Sequence, residues 1–307
     1  MNVQWPELSY AEARDTYQTL HMWTQVIGKI KLSRLPWINH SWHVTLAVTP
    51  VGLTTSGMAF DDKHFQIDFD LVQHKLKVIT NTRLTRMFDL QGLSVAGFYE
   101  NVVRALNELN IEIDINLLPN EVLNPVPFNK DHIHATYHPK HATALHKALL
   151  NAQNVFTQFR SEFMGKCSAV QFFWGSFDLA VSRFSGREAP MHPGGIPNLP
   201  DRVVREAYSH EVSSCGFWPG NDTVPYAAFY SYIYPEPEGF KEAKVLPEEA
   251  FYHPELGEFI LPYQVVQESS DPAAKLLDFL RSTYDAAADL AEWDRNALET
   301  KTFSAST

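Results

Sequence analysis

Residues 64–80, "HFQIDFDLVQHKLKVIT", decide how this chain folds. Phe65, Ile67, Phe69 and Leu71 recur at every second position with polar residues between them. That is the period of a strand with one buried face, since successive side chains leave a strand on opposite sides. The stretches on either side, "SWHVTLAVTPVGLTTSGM" (41–58) and "RLTRMFDL" (83–90), alternate in the same way between Gly, Pro, Asn and Asp breaks. Together they predict an antiparallel sheet, whose strands need only short turns between them. Before it, "YAEARDTYQTLHMWTQVIGKI" puts Ala13, Tyr17, Leu20, Trp23 or Thr24 and Ile27 at helical spacing, with Gly28 as the expected stop. After it, Ser94 is placed to cap a helix whose stripe is Phe98, Val102, Leu106 and Leu109, and "IEIDINL" (111–117) reads as a further strand.

"NPVPFNK" (124–130) reads as a linker, because its two prolines continue neither a helix nor a central strand. The plan then repeats. A helix over 141–166 ends at Gly165-Lys166 as the first ended at Gly28-Lys29, strands follow, and a last helix starts after Ser270-Asp271-Pro272. "SWHVTLAV" answers to "SFDLAV", and "MFDLQGLS" to "ILPYQVVQESSD". The expected fold is therefore α+β, with two pseudo-repeated halves at 1–123 and 131–307 packed together, each a mostly antiparallel sheet covered by helices. The repeat would bring His43 and Asp178 to matching positions near the junction, a common setting for a ligand cleft.

Composition narrows the function. With 25 Lys+Arg against 36 Asp+Glu the formal charge is −11, which repels nucleic acid, so none is expected as a partner. No uninterrupted apolar run reaches the roughly 20 residues of a bilayer crossing, and no membrane partner is expected. Two cysteines build no disulfide framework, and "MNVQWPELSYAEARD" has neither the basic start nor the apolar block of a signal peptide. These features predict a protein of a reducing cytoplasm. The chain has no G-x-G-x-x-G, phosphate loop or G-x-S-x-G elbow, and the sequence names no cofactor.

Read with period two, "FWGSFDLAV" (173–181) sets Trp174, Ser176, Asp178 and Ala180 on one face and Phe173, Phe177, Leu179 and Val181 on the other. Solvent would explain Ser176 and Asp178. Trp174 points instead to a pocket, because an indole gains little in bulk water. Arg183 falls on the apolar parity unless a bulge intervenes, and Arg187 follows Gly186, where the chain can turn; the pair offers guanidinium forks for a carboxylate or phosphate, or for the protein's own acids. "REAYSHEVSSCGFWPG" (205–220) alternates so that His210 and Glu211 point apart, each able to meet Asp178 across neighbouring strands as an acid–base couple. Trp218 and Phe217 would wall the pocket. In "DHIHATYHPKHATALH" (131–146) the spacing fits no zinc pattern, so no metal is expected, and His134 alone is retained as a pocket residue.

The segments "GKCSAVQFFWGSFDLAVSRFSGR", "REAYSHEVSSCGFWPG", "YPEPEGF", "FLRSTYDAAADLAEWD" and "WPELSYAEARDTYQTLHMWTQVIGKI" resemble the hallmark stretches of the domain-of-unknown-function family DUF5996. The resemblance implies one architecture across nearly the whole chain and carries no reaction, cofactor or catalytic residue. The expected function therefore rests on the residues: a small-molecule enzyme acting on an anionic substrate in a cleft between the halves. His210 or Asp178 moves the proton, with Glu211 as a further candidate, and Arg183 with Arg187 holds the charge. The alternatives are a non-catalytic ligand carrier or sensor, and an interaction protein that pairs through its aromatics, as in a homodimer.

Overall fold

The structure is a computed structural model that describes residues 4–301. Among them are seven α-helices and two six-stranded antiparallel sheets. Helix α1 (Tyr10–Arg34) leads into the first sheet, formed by β1 (Ala47–Thr49), β2 (Gly52–Thr54), β3 (Met58–Phe60), β4 (Lys63–Asp70), β5 (Lys75–Thr80) and β6 (Thr85–Asp89). Its order is β1-β2-β4-β5-β6, with β3 also paired to β4. Phe69 opposes Leu76, which opposes Phe88, and Phe65, Ile67, Phe69 and Leu71 are all buried as their alternation requires. Helix α2 (Val95–Asn107) lies on this face. Its Phe98 is sandwiched between Phe69 of β4, at 5.8 Å, and Trp23 of α1, at 4.9 Å, with near-parallel rings. The Ser94 hydroxyl accepts from the Gly97 amide at 3.2 Å and so caps α2.

Helix α3 (Pro139–Ser161) precedes the second sheet: β7 (Gln171–Phe173), β8 (Asp178–Glu188), then helix α4 (Asp201–Ala207), β9 (His210–Trp218), β10 (Ala228–Tyr234), β11 (Phe251–His253) and β12 (Glu258–Pro262). The strand order is β11-β12-β10-β9-β8-β7. Helices α5 (Tyr263–Gln267), α6 (Pro272–Leu290) and α7 (Arg295–Leu298) finish the chain. Leu179, Val181, Cys215, Phe217 and Phe229, at odd-numbered positions of the long strands, are buried. Phe156 of α3 meets Phe229 edge-on at 6.3 Å on that side. The two sheets touch through one backbone bridge, in which Leu46 and Phe172 exchange N–H···O bonds of 2.9 and 2.8 Å.

Three local expectations are corrected. Gly28 does not stop α1, which runs on to Arg34; it is a notch, because a Cβ there would overlap the Trp174 indole. Residues 111–117 run without strand pairing, and 201–207 are helical, so the predicted strand through Tyr208 begins only at His210. Residues 174–177 form the β7–β8 turn, not a strand, with Phe177 at φ 60°. No helix of the described residues is long and apolar enough to cross a membrane.

Candidate functional site

Alternation along the second sheet makes one face apolar against α3 and α6 and leaves the even-numbered face free for Asp178, Ala180, Ser182, Ser214, Tyr230, Tyr232 and Glu258. Over this face close α1, the segment around Asn120 and Glu121, and the stretch running into α4. Two adjoining chambers result, of about 940 and about 430 Å³, and Glu121, Gly175, Ser176, Asp178, Tyr230 and Tyr232 line both.

Helix α1 holds the cover in place with a polar stripe at one-turn spacing, His21, Gln25 and Lys29. His21 Nε2 donates to the Gly175 carbonyl at 2.7 Å. Burial pulls His21 down to about 4, so its ring is neutral near pH 7. Gln25 donates to the Asn120 carbonyl at 2.7 Å and accepts from the Asn120 amide at 2.8 Å, while Lys29 bonds the Asn120 side chain. Glu121 follows in a left-handed conformation, φ 60°, its amide donating to Pro197 O at 2.9 Å. Its carboxylate lies where a Gly175 side chain would stand, so only glycine leaves that space open.

Asp178 is buried and accepts one hydrogen bond from the Ser176 hydroxyl and one from the Tyr230 hydroxyl. Burial raises its proton affinity and these two donors oppose the rise. Glu121 and Glu258 have no side-chain hydrogen bond among the described residues. Burial, reinforced by the Asp178 charge, pushes Glu121 up to about 7 and Glu258 up to about 8. On the opposite wall His134 Nδ1 donates to Asp131 Oδ2 at 2.7 Å, and Asp131 also accepts from the Ile133 and His134 amides. Burial would raise Asp131, but the bonds from His134 and the two amides outweigh it and hold the carboxylate below its ordinary range. His134 lines the larger chamber with Nε2 left over.

Trp174, Ser176, Asp178, Trp218 and His134 therefore reach the cleft. The first three do so because a tight turn folds them together, with the Trp174 Nε1 donating to Val44 O at 2.8 Å. The others are corrected. Arg183, of opposite parity to Asp178, is 2% exposed beneath the sheet, bonded to the Phe159 carbonyl with its guanidinium 3.4 Å from the Phe159 ring and 4.3 Å from that of Tyr284. Arg187 pairs with Glu211 at 2.7 Å and donates to Ala291 O at 2.5 Å just past the C-terminal end of α6. Glu211 is thereby taken up, with Ser185 as a second donor at 2.8 Å. His210 opens β9 opposite Glu188 beyond a register shift in β8; its Nδ1 meets Ser209 Oγ at 3.0 Å and it lines neither chamber. His43 is buried outside both, its Nδ1 accepting from the Ile38 amide at 3.1 Å. Neither arginine is in position to hold an anion in the cleft.

Two predictions arise here. Arg183→Met keeps the shape of a long side chain while removing a buried charge that has no carboxylate partner, so stability is expected to change by no more than about 1.5 kcal/mol; a urea unfolding curve checks it. Glu121 and Glu258 hold protons in the folded state that the unfolded chain gives up above about pH 4.5, so their contribution to stability declines as pH rises from there towards about 8. Glu258→Gln is accordingly expected to stabilise the protein at about pH 8 by roughly 1 kcal/mol, discounted for partial solvent screening, and to flatten the decline in calorimetry between about pH 5 and 8.5.

The residues missed from the sequence are Glu121, Glu258, His21, Asp131 and the tyrosines of β10. "YSYIY" (230–234) does carry a period-two aromatic signal, and a lone acid ahead of "FIL" marks Glu258. Nothing in the sequence around Glu121 singles it out.

Fold and site define an α+β protein with a carboxyl- and tyrosine-lined cleft on the open face of its second sheet. The chain belongs to the family described as a family of unknown function (DUF5996), whose profile matches residues 5–300. No curated protein and no solved structure matches it.

Proposed function

We propose that the protein is a small-molecule enzyme working by acid–base chemistry in the cleft between residues 1–123 and 131–307, two halves related as pseudo-repeats. The observation that carries this reading is the opposition of groups on one chamber: an imidazole oriented by an ionised Asp131, and two carboxyl groups whose environment keeps them protonated near neutrality. The geometry makes His134, held through Nδ1 by Asp131 with Nε2 toward the chamber, the base, and the two glutamates the acids. His134 accepts the proton, Glu121 or Glu258 delivers one, and Asp178 supplies the charge that raises both acids. A carrier would satisfy its polar groups internally, whereas the Glu121 and Glu258 side chains have no hydrogen-bond partner among the described residues. Incubating the purified protein with a mixture of small metabolites and following it by liquid chromatography with mass spectrometry tests the reading: a component should be consumed by the parent and spared by His134→Gln. Binding of a component without its conversion would favour the carrier.

A further inference from the structure

Helix α1 carries two lysines into the interior. Lys29 is 5% exposed and Lys31 8%, and among the described residues each meets only a neutral group: Lys29 Nζ donates to the side-chain oxygen of Asn120, and Lys31 Nζ to the Thr45 carbonyl. Burying an ammonium group without a counter-charge is costly. Burial pulls both amines down to about 8, which leaves roughly a tenth of each as the free, nucleophilic amine at pH 7. Their surroundings differ. Two positions apart on a helix, the side chains leave in nearly opposite directions. Lys31 lines neither chamber, whereas Lys29 lines the smaller one, and so do both groups near its Nζ, Asn120 and, at 6.0 Å, the Trp174 ring. The smaller chamber is walled by aromatic rings: three of the chain's seven tryptophans, Trp37, Trp42 and Trp174, line it together with Phe173 and Tyr208. Trp37, 43% exposed, and the exposed Arg202, whose guanidinium lies 5.3 Å from that ring, mark its mouth.

We propose that the smaller chamber takes an aldehyde or ketone with an apolar, ring-bearing body, and that Lys29 Nζ captures its carbonyl carbon covalently as a Schiff base. A chamber of about 430 Å³ with aromatic walls admits a body of that kind, and a lysine desolvated in such a place is the amine that carbonyl compounds react with. The nitrogen lone pair attacks the carbonyl carbon and the π pair moves to oxygen; the oxygen then leaves as water while the C=N bond forms. Ammonium and carbonyl compound become iminium and water: two of the three ammonium hydrogens depart with the oxygen, the positive charge stays on nitrogen, and the step needs neither oxidant nor reductant. The inference goes beyond the acid–base reading and does not rest on it, since His134 and Glu258 line only the larger chamber.

Reductive trapping on the full chain tests it, with benzaldehyde as the probe, glyceraldehyde as a polar comparator, and cyanoborohydride to fix any imine as a secondary amine; peptide mapping by mass spectrometry then locates the adducts. At about pH 7 benzaldehyde is expected to label Lys29 about tenfold or more ahead of every other lysine, Lys31 included, and glyceraldehyde to show no such preference. Lys29→Gln keeps an N–H donor for Asn120, so it is expected to retain its thermal transition and to lose the preferential label. The parent's own map, Lys29 against Lys31, decides the matter even if that variant unfolds. Benzaldehyde spread evenly over the lysines overturns the proposal and leaves Lys29 as a clamp on Asn120. Lys31 labelled as fast as Lys29 also overturns it, because burial alone would then explain the reactivity. Equal preference for Lys29 from glyceraldehyde removes the apolar body from the recognition and overturns the assigned class.

Discussion

Replacing Gly28 with valine is expected to lower the unfolding free energy by about 3 kcal/mol, read as a shift of the urea midpoint at unchanged slope. The cause is a close approach. Helix α1 presents Gly28 to the flat of the Trp174 indole, which is 6% exposed and fixed by its Nε1 bond to Val44 O, so neither side can retreat without breaking a buried hydrogen bond. Any Cβ at 28 enters the space of the ring, and valine's two methyl groups enter further. The helical preference of valine over glycine works in the opposite direction by only a few tenths of a kcal/mol, too little to decide the sign. Pairing the change with Trp174→Ala gives a double-mutant cycle: the second substitution costs about 3–5 kcal/mol alone and should cost distinctly less when valine is present. Additive losses would show that the glycine serves something other than the indole.

Asp178→Asn is expected to reduce kcat/KM about 100-fold on whatever substrate the turnover screen supplies, and to move the alkaline limb of its pH profile to lower pH. Asparagine keeps the shape of Asp178 and, through its carbonyl oxygen, one of the two hydrogen bonds from Ser176 and Tyr230, so the fold should survive. It removes the charge. Glu121 and Glu258 then lose the neighbour that, after burial, raises them to about 7 and about 8, and both ionise earlier as pH rises. An acid that ionises earlier ceases to deliver protons at a lower pH, which fixes the direction of the limb. Carboxyl-carbon NMR titration of the two glutamates reads the same shift without a substrate. Titration curves unmoved by the substitution would remove Asp178 from this role.

Much of the architecture was legible because it follows from local periodicity. The alternation of Phe65, Ile67, Phe69 and Leu71, the cap at Ser94 and the Asp271 cap, whose Oδ1 accepts from the Ala274 amide at 3.1 Å, are each decided by a few neighbouring residues. The cleft depended on contacts distant in sequence. The turn at 174–177 gathers Trp174, Ser176 and Asp178, yet its left-handed residue is Phe177, a type that gives no warning of such a conformation. Arg183 shares the odd parity of Leu179 and Val181, and with no bulge before it in β8 that alternation carries it to the core, where aromatic rings enclose it and not a ligand. His210 failed as a pocket residue because α4 occupies the positions just before it and a register shift separates it from the Asp178 end of β8. Glu121 stands on an unpaired stretch held by Gln25 through Asn120 and by the Pro197 carbonyl, and no pattern within one segment reveals a partner in another.

The bridge between Leu46 and Phe172 has a bearing on how this chain tolerates being cut. It joins the ends of the two sheets, β1 with its approach on one side and β7 on the other, so each masks the other's row of unsatisfied amides and carbonyls. A fragment carrying either sheet alone would uncover a ready template for another strand, and self-association in solution is the fate such an uncovered border invites.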